Sequence, residues 1–197
     1  MPPTQADSHD AWSRLRPDAV QGVKDLLAQL ERNGPTQDLI DVYLYSKRIL
    51  AEAMEARMSI ELGGGCETFH QLRERLAELM QEQFGGKVPE EYLGVPFGSH
   101  LHEKLFLLLL QRQGEEVPGT LIRVVAGDSV HTERRVRELR ELGLDIETGK
   151  IGNVDTYKLN SLHLDTSFIP TIIFNTARNK KHRFMKQSEL KRILGLD

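Results

Sequence analysis

The 197-residue chain contains one cysteine, Cys66, so no intrachain disulfide can form. A lone cysteine also excludes zinc sites built from paired thiolates, and it points to a reducing compartment. Long apolar runs are missing as well. The longest, residues 105–110, falls far short of the ~20 residues that cross a bilayer. The first ten residues, MPPTQADSHD, lack the apolar core of a signal peptide. There is no Walker loop and no GxGxxG, and Gly63-Gly64-Gly65 lacks the lysine a phosphate loop requires. An excess of positive charge is also absent. Lys and Arg number 26 against 29 Asp and Glu, a net charge of −3, which argues against a uniformly basic nucleic-acid coat. No internal repeat or low-complexity tract occurs. These absences describe a soluble, cytoplasmic protein with no membrane contact, no expected metal and no expected cofactor.

What is present is unevenly spread. Up to Gly98 there are ten basic and sixteen acidic residues; from Ser99 onward there are sixteen basic and thirteen acidic. The second half is therefore the better match for a polyanion. Residues 1–15 read as a disordered tail. Residues 16–95 read as an acidic helical region suited to self-association or to a protein partner. Val20, Val23, Leu26, Leu27 and Leu30 have helical spacing, and Asn33-Gly34-Pro35 ends that helix. Thr36 is placed to cap the next, which carries Ile40, Tyr43, Ile49, Leu50 and Met54 to about Met58. A third helix covers residues 67–84, closed by Gly85-Gly86.

A fourth helix starts near Ser99 and stops before Gly114. Pro118-Gly119 opens TLIRVVAG, which fits a short helix or a strand equally well. Asp128 or Ser129 can cap a following arginine-rich helix that Gly143 closes. Residues 145–159 then alternate as two short strands around Thr148-Gly149-Lys150 and Gly152-Asn153. A helix followed by a polar hairpin is how a winged helix-turn-helix presents itself to a duplex. Residues 163–197 add FIPTIIF (168–174), read as a strand or buried extended segment, then a basic loop and a short final helix. The expected fold is mainly α with a small β wing: a helical N-terminal part plus a winged helix-turn-helix over residues 99–162.

On a helical wheel centred on Leu139, Thr132, Val136 and Leu142 share the inner side, and Arg134, Arg137, Val130 and Glu141 point away. His131, Glu133, Glu138 and Arg140 fall at the flanks, and Arg135 falls on the inner side, where its stem must pack and its head reach outward. The expected base-facing residues are Val130, His131, Arg134 and Arg137, because such a helix enters the major groove by its first turns. Arginine can bond guanine O6 and N7 together. Arg135, Arg140, Lys150, Asn153, Lys158, Arg178, Lys180, Lys181 and Arg183 are the expected backbone contacts. Charged helices with Arg and Glu at i, i+3 or i, i+4 are also common as solvated surfaces, so the hairpin carries part of the weight.

The run Thr132-Glu133-Arg134-Arg135-Val136-Arg137-Glu138-Leu139-Arg140, then Leu142-Gly143-Leu144-Asp145-Ile146 and Tyr157-Lys158-Leu159, resembles a winged-helix module that accompanies restriction and HNH-type endonucleases and related bacterial defence proteins. The likeness lies in the arginine pair, the R-E-L-R segment, the glycine, the isoleucine that starts the wing and the Y-x-L strand. It covers about residues 99–160. The resemblance implies sequence-specific binding of double-stranded DNA, which suits a transcription regulator or the recognition component of a restriction-modification or defence system; the apolar faces of the N-terminal helices suit a small core or the seam of a homodimer, which would match a palindromic site. The resemblance does not by itself imply a nuclease.

No convincing catalytic set accompanies it. His100 and His102 lack the further histidine and asparagine of an HNH site. In DIETGK (145–150) Glu147 stands three residues before Lys150, the wrong spacing for an acid-x-Lys nuclease motif. The rival reading is a small metal-dependent endonuclease drawing on Glu90, Glu91, His100, His102, Glu103 and Lys104. A winged-helix protein-interaction module is the other alternative. For His102 the plain expectation is a partly exposed helix start, and for Cys66 a small buried side chain.

Overall fold

The computed structural model describes residues 5–32, 34–129, 131–181 and 184–196. In chain order the elements are α1 (Gln5–Arg32), α2 (Thr36–Leu62), α3 (Glu67–Phe84), α4 (His100–Gln111), β1 (Val117–Pro118), α5 (Gly119–Val125), α6 (Thr132–Glu141), β2 (Leu144–Ile151), β3 (Val154–Leu164), α7 (Ile169–Asn179) and α8 (Gln187–Leu194). Single 3-10 turns occupy Glu90–Tyr92 and Thr166–Phe168. The chain is thus mainly helical with one small antiparallel sheet of strand order β1-β3-β2. Among the described residues no helix is long and apolar enough to cross a membrane.

The chain forms two compact units. One holds Met1–Gly65 and Gly119–Thr132, the other Cys66–Pro118 and Glu133–Asp197. This division passes through both the 16–95 and the 99–162 segments.

In the first unit α1 and α2 form an antiparallel hairpin. Gly22 lets the helices approach closely, since a Cβ there would lie 3.3 Å from Ile49 Cγ2. The Ser46 hydroxyl donates to the Gly22 carbonyl at 2.7 Å. Ala19, Ile49 and Ala53 form the buried seam, with Trp12 and Leu15 packed against it. That packing draws the N-terminal segment into helix, so residues 5–15 are helical where a disordered tail was expected. Thr36 is not the cap of α2: Pro35 holds that position and no side-chain bond closes the helix start. α5 is a helix, which settles the ambiguity of TLIRVVAG. Asp128 does not cap the arginine-rich helix. Its backbone is left-handed (φ 54°), and its carboxylate pairs with Lys47 at 3.0 Å and Arg123 at 2.7 Å. Those two cations hold its carboxyl below the usual range.

In the second unit α3 packs on α4 through Phe69 and Phe106, whose rings are 5.2 Å apart. Leu76, Met80, Leu105, Leu109, Leu139, Leu159 and Ile169 are essentially inaccessible. β2 and β3 pair from Leu144↔Leu164 to Ile151↔Val154, and β1 joins β3 through Val117↔Tyr157. β2 runs unbroken through Thr148-Gly149-Lys150, so the only turn of the hairpin is Gly152-Asn153. The segment FIPTIIF is not a strand. Pro170 lies in the first turn of α7, where its missing N–H costs nothing. Ile169, Ile172, Ile173 and Ala177 are its buried residues. Their i, i+3, i+4, i+8 spacing is helical, and the expected basic loop over 175–183 starts only after Asn179.

Candidate nucleic-acid interface

The arginine-rich helix α6 is the natural centre of the site. Its inner side is Val136 and Leu139, both wholly buried, with Leu142 just beyond its end. Arg134 and Arg137 point outward with side chains 61% and 64% exposed, as the wheel requires. His131 is exposed and lies just before the helix with φ 69°, an uncommon conformation for a side chain with a Cβ. Val130 lies outside the described residues.

Glu138 departs from the wheel. It is not a flank residue but is buried, 3% exposed. His102 Nε2 lies 2.9 Å from its Oε2, Arg135 donates to the same oxygen at 2.8 Å, and Arg134 Nε donates to Oε1 at 2.9 Å. Burial pushes the Glu138 carboxyl up, and the bonds from His102, Arg135 and Arg134 outweigh it, so the group titrates below its usual range. Arg135 is half-buried, its stem along the inner side and its head on Glu138. Arg134 makes this bond through Nε, and its side chain is largely exposed.

His102, expected to be partly exposed, is 2% exposed. Burial lowers its pKa despite the bond to Glu138. Because an ionised carboxylate only accepts, the His102 proton sits on Nε2, and Nδ1 accepts from the Ser99 hydroxyl at 2.6 Å. The chain Ser99–His102–Glu138 thus ties the start of α4 to the middle of α6. Beside it, Glu103 is also buried and accepts from the Cys66 amide at 2.7 Å. His70 and His100 lie 3.0 and 3.5 Å from its two oxygens. Burial raises the Glu103 carboxyl, and the bonds from the Cys66 amide, His100 and His70 outweigh that and lower it. Cys66 is buried, and that burial pushes its thiol up, the opposite of an activated nucleophile. Among the described residues no group of three or more His, Cys, Asp or Glu is arranged to hold a metal ion.

The hairpin carries Lys150 and Asn153 exposed and Lys158 half-buried. Lys150 is 3.6 Å from Asp155. Its tip is more apolar than its sequence implied: Ile151 and Val154, the pair flanking the turn, are 62% and 38% exposed. Arg140 is exposed and forms no ion pair among the described residues. With Arg137 it borders a cleft of about 630 Å³ that also takes in Ser161, His163 and Phe168. Gly143 makes the bend from α6 into β2 possible. Its φ is 86°, and a Cβ there would lie 2.6 Å from the Asp165 carbonyl oxygen.

Of the C-terminal cations, Arg178, Lys180 and Lys181 are exposed. Arg178 lies 5.9 Å from the centre of the Phe174 ring. Lys180 shares a second cleft with Glu141, so the end of α7 borders the end of α6. Arg183 lies outside the described residues. The Glu138 hub was not anticipated. The i, i+3 and i, i+4 spacing to Arg135 and Arg134 was visible, but its histidine partner is 36 residues away.

Helix, strand, two helices and an antiparallel hairpin follow one another from α4 to β3, with cations on the outer side of the last of these helices, α6. Residues 102–166, about a third of the chain, match the KpnI N-terminal domain family, a restriction-enzyme-related domain. That span runs from the Ser99-bonded His102 to just past the end of β3. No curated protein and no solved structure matches the chain.

Proposed function

We propose that residues 99–162 act as a winged-helix module that binds double-stranded DNA sequence-specifically, and that the protein is the DNA-recognition component or regulator of a restriction system. One observation carries the reading: Arg134 and Arg137 stand outward on α6, immediately before a three-stranded antiparallel sheet, inside the span similar to a restriction-related domain. Arg134 and Arg137, with Val130 and His131, face the bases. Arg135, Arg140, Lys150, Asn153, Lys158, Arg178, Lys180, Lys181 and Arg183 serve the backbone. The bond from Arg134 Nε to Glu138 supports the assignment, because it restrains the side chain before any duplex arrives.

Selection from random duplexes, followed by sequencing, tests this directly. Arg134→Ala with Arg137→Ala should cost about 1–3 kcal/mol of discrimination per lost bidentate contact and change the preferred site. An unchanged site after both substitutions refutes the facing of α6, and no binding to mixed-sequence duplexes at low salt refutes the reading itself. The rival endonuclease is less well supported, since His102 and Glu103 are buried and engaged internally. Plasmid cleavage with Mg²⁺ that disappears in His102→Ala, while the variant stays folded, would reinstate it.

A further inference from the structure

Fourteen large apolar side chains are exposed among the described residues, and ten of them lie on α1 and α2. On α1, Val20, Val23, Leu27 and Leu30 are 46–58% exposed at a 3-4-3 spacing. On α2, Ile40, Tyr43, Leu50 and Met54, with Lys47 between them, continue a 3-4-3-4 spacing and are also exposed. This is the a/d repeat of a helix–helix seam. It is not the seam that joins α1 to α2, which is made by Ala19, Ile49 and Ala53.

Helical geometry puts both stripes on one face. At about 100° per residue, each stripe is rotated roughly 90–110° from the side of its helix that meets the other, in the same sense along the chain. In an antiparallel pair, equal rotation in that sense points both stripes to the same side of the hairpin.

We propose that this face docks a second copy of the chain, two hairpins closing into an antiparallel four-helix bundle. The eight apolar residues expose roughly 700 Å², close to the ~800 Å² each partner contributes to a standard interface and above the ~300–600 Å² of the largest patch on a typical monomer. The occupant follows from what the hairpin lacks. Ala19, Ile49 and Ala53 centre its own seam with Trp12 and Leu15 against it, and α5 borders Leu50 and Met54, but Val20, Val23, Leu27, Leu30, Ile40 and Tyr43 stay exposed with no layer over them. A two-fold mate brings the same stripes and supplies the missing layer, because an isologous patch is complementary to itself. Lys47, the polar member of the repeat, is already paired with Asp128 at 3.0 Å. Paired within its own chain, it brings no unmatched charge to the face.

The proposal does not rest on DNA binding and is tested without DNA. Sedimentation equilibrium of the full chain should give twice the 22.4 kDa chain mass at micromolar concentration. Leu27→Glu with Tyr43→Glu should weaken self-association on the order of a hundredfold or more, with helix content and Trp12 fluorescence unchanged. Tyr45→Glu, exposed but on the other flank of α2, should leave the dimer intact. A second measurement stands apart from these substitutions. With Cys66→Ser as background, single cysteines placed in turn at Val20, Val23, Leu27 and Leu30 should include one that cross-links between copies on mild oxidation, and Tyr45→Cys should not. A monomeric parent chain, a dimer indifferent to the double substitution, or cross-linking at 45 as strong as at the best of the α1 stripe positions overturns it.

Discussion

Removing the Glu138 carboxylate should weaken the second unit from its centre. In Glu138→Ala, His102 keeps its Nε2 proton but loses the acceptor it donates to, in a site where the histidine is 2% exposed. Leaving a buried donor unpaired costs about 1–3 kcal/mol. Arg134 and Arg135 add little, because their heads are 61% and 42% exposed and can turn to water. The full ~3–5 kcal/mol of a broken buried ion pair is therefore too large, and about 2–3 kcal/mol is expected once the small cavity is included. Glu138→Gln keeps an oxygen for His102 and should cost about 1 kcal/mol. The single tryptophan lies in α1, in the other unit, so its fluorescence does not report this change. Amide hydrogen exchange in α4 and α6 does. Protection there should fall in the order parent, Gln, Ala, while Trp12 fluorescence stays constant. Equal loss in both variants, or less than about 0.5 kcal/mol for Ala, a surface-like value, would refute the hub.

Acid should loosen the same unit in two stages. The folded pKa of His102 is depressed, so its contribution is complete above the ordinary histidine value of about 6.5 and is lost as pH falls toward its folded pKa. Glu138 and Glu103 are also depressed, so a second loss begins below the ordinary carboxyl value of about 4.3. Exchange protection in α4 and α6 across pH 7 to 4 checks the sign, and higher protection at pH 5 than at pH 7 contradicts it. Gly143→Ala should cost about 2–4 kcal/mol, from a left-handed residue gaining a Cβ and from contact with the Asp165 carbonyl; near-neutral unfolding in urea would count against this. Lys180→Ala with Lys181→Ala should weaken binding to all duplexes alike and reduce the salt slope by about 1–2, and a change of preferred sequence would contradict a backbone role.

Legibility in the sequence followed the range of each interaction. Helix α3 is bounded by glycines and has one apolar side, so local pattern defines it fully. The outward facing of Arg134 and Arg137 needed only the helical period and Leu139. FIPTIIF is helical although it is rich in β-branched residues, and Pro170 at a helix start looks locally like Pro in an extended run. Residues 5–15 lack a stripe of their own; Trp12, Leu15 and Ala19 become helical by packing on α2. Glu138 and His102 met from 36 residues apart, so a carboxylate that looks solvated on a wheel is the most buried charge of its helix. The grouping of Gly119–Thr132 with the N-terminal helices is likewise non-local, and no composition shift marks it.

The charge budget connects the two proposals. A net charge of −3 leaves little sequence-independent attraction to a polyanion. On α6, Arg135 is turned to Glu138, and Arg137 lies 3.7 Å from the partly exposed Glu141. Exposed Arg140, Lys180 and Lys181 form no ion pair among the described residues, so a single copy keeps some sequence-independent affinity, to which base contacts add discrimination. Two copies joined through α1 and α2 convert the second contact into an intramolecular one. Such linkage can raise affinity by about 10²–10⁴ without a new contact. If both proposals hold, Leu27→Glu with Tyr43→Glu should lower affinity for a palindromic site far more than for one half-site. Equal affinity of monomeric and dimeric forms for the palindrome would separate self-association from recognition.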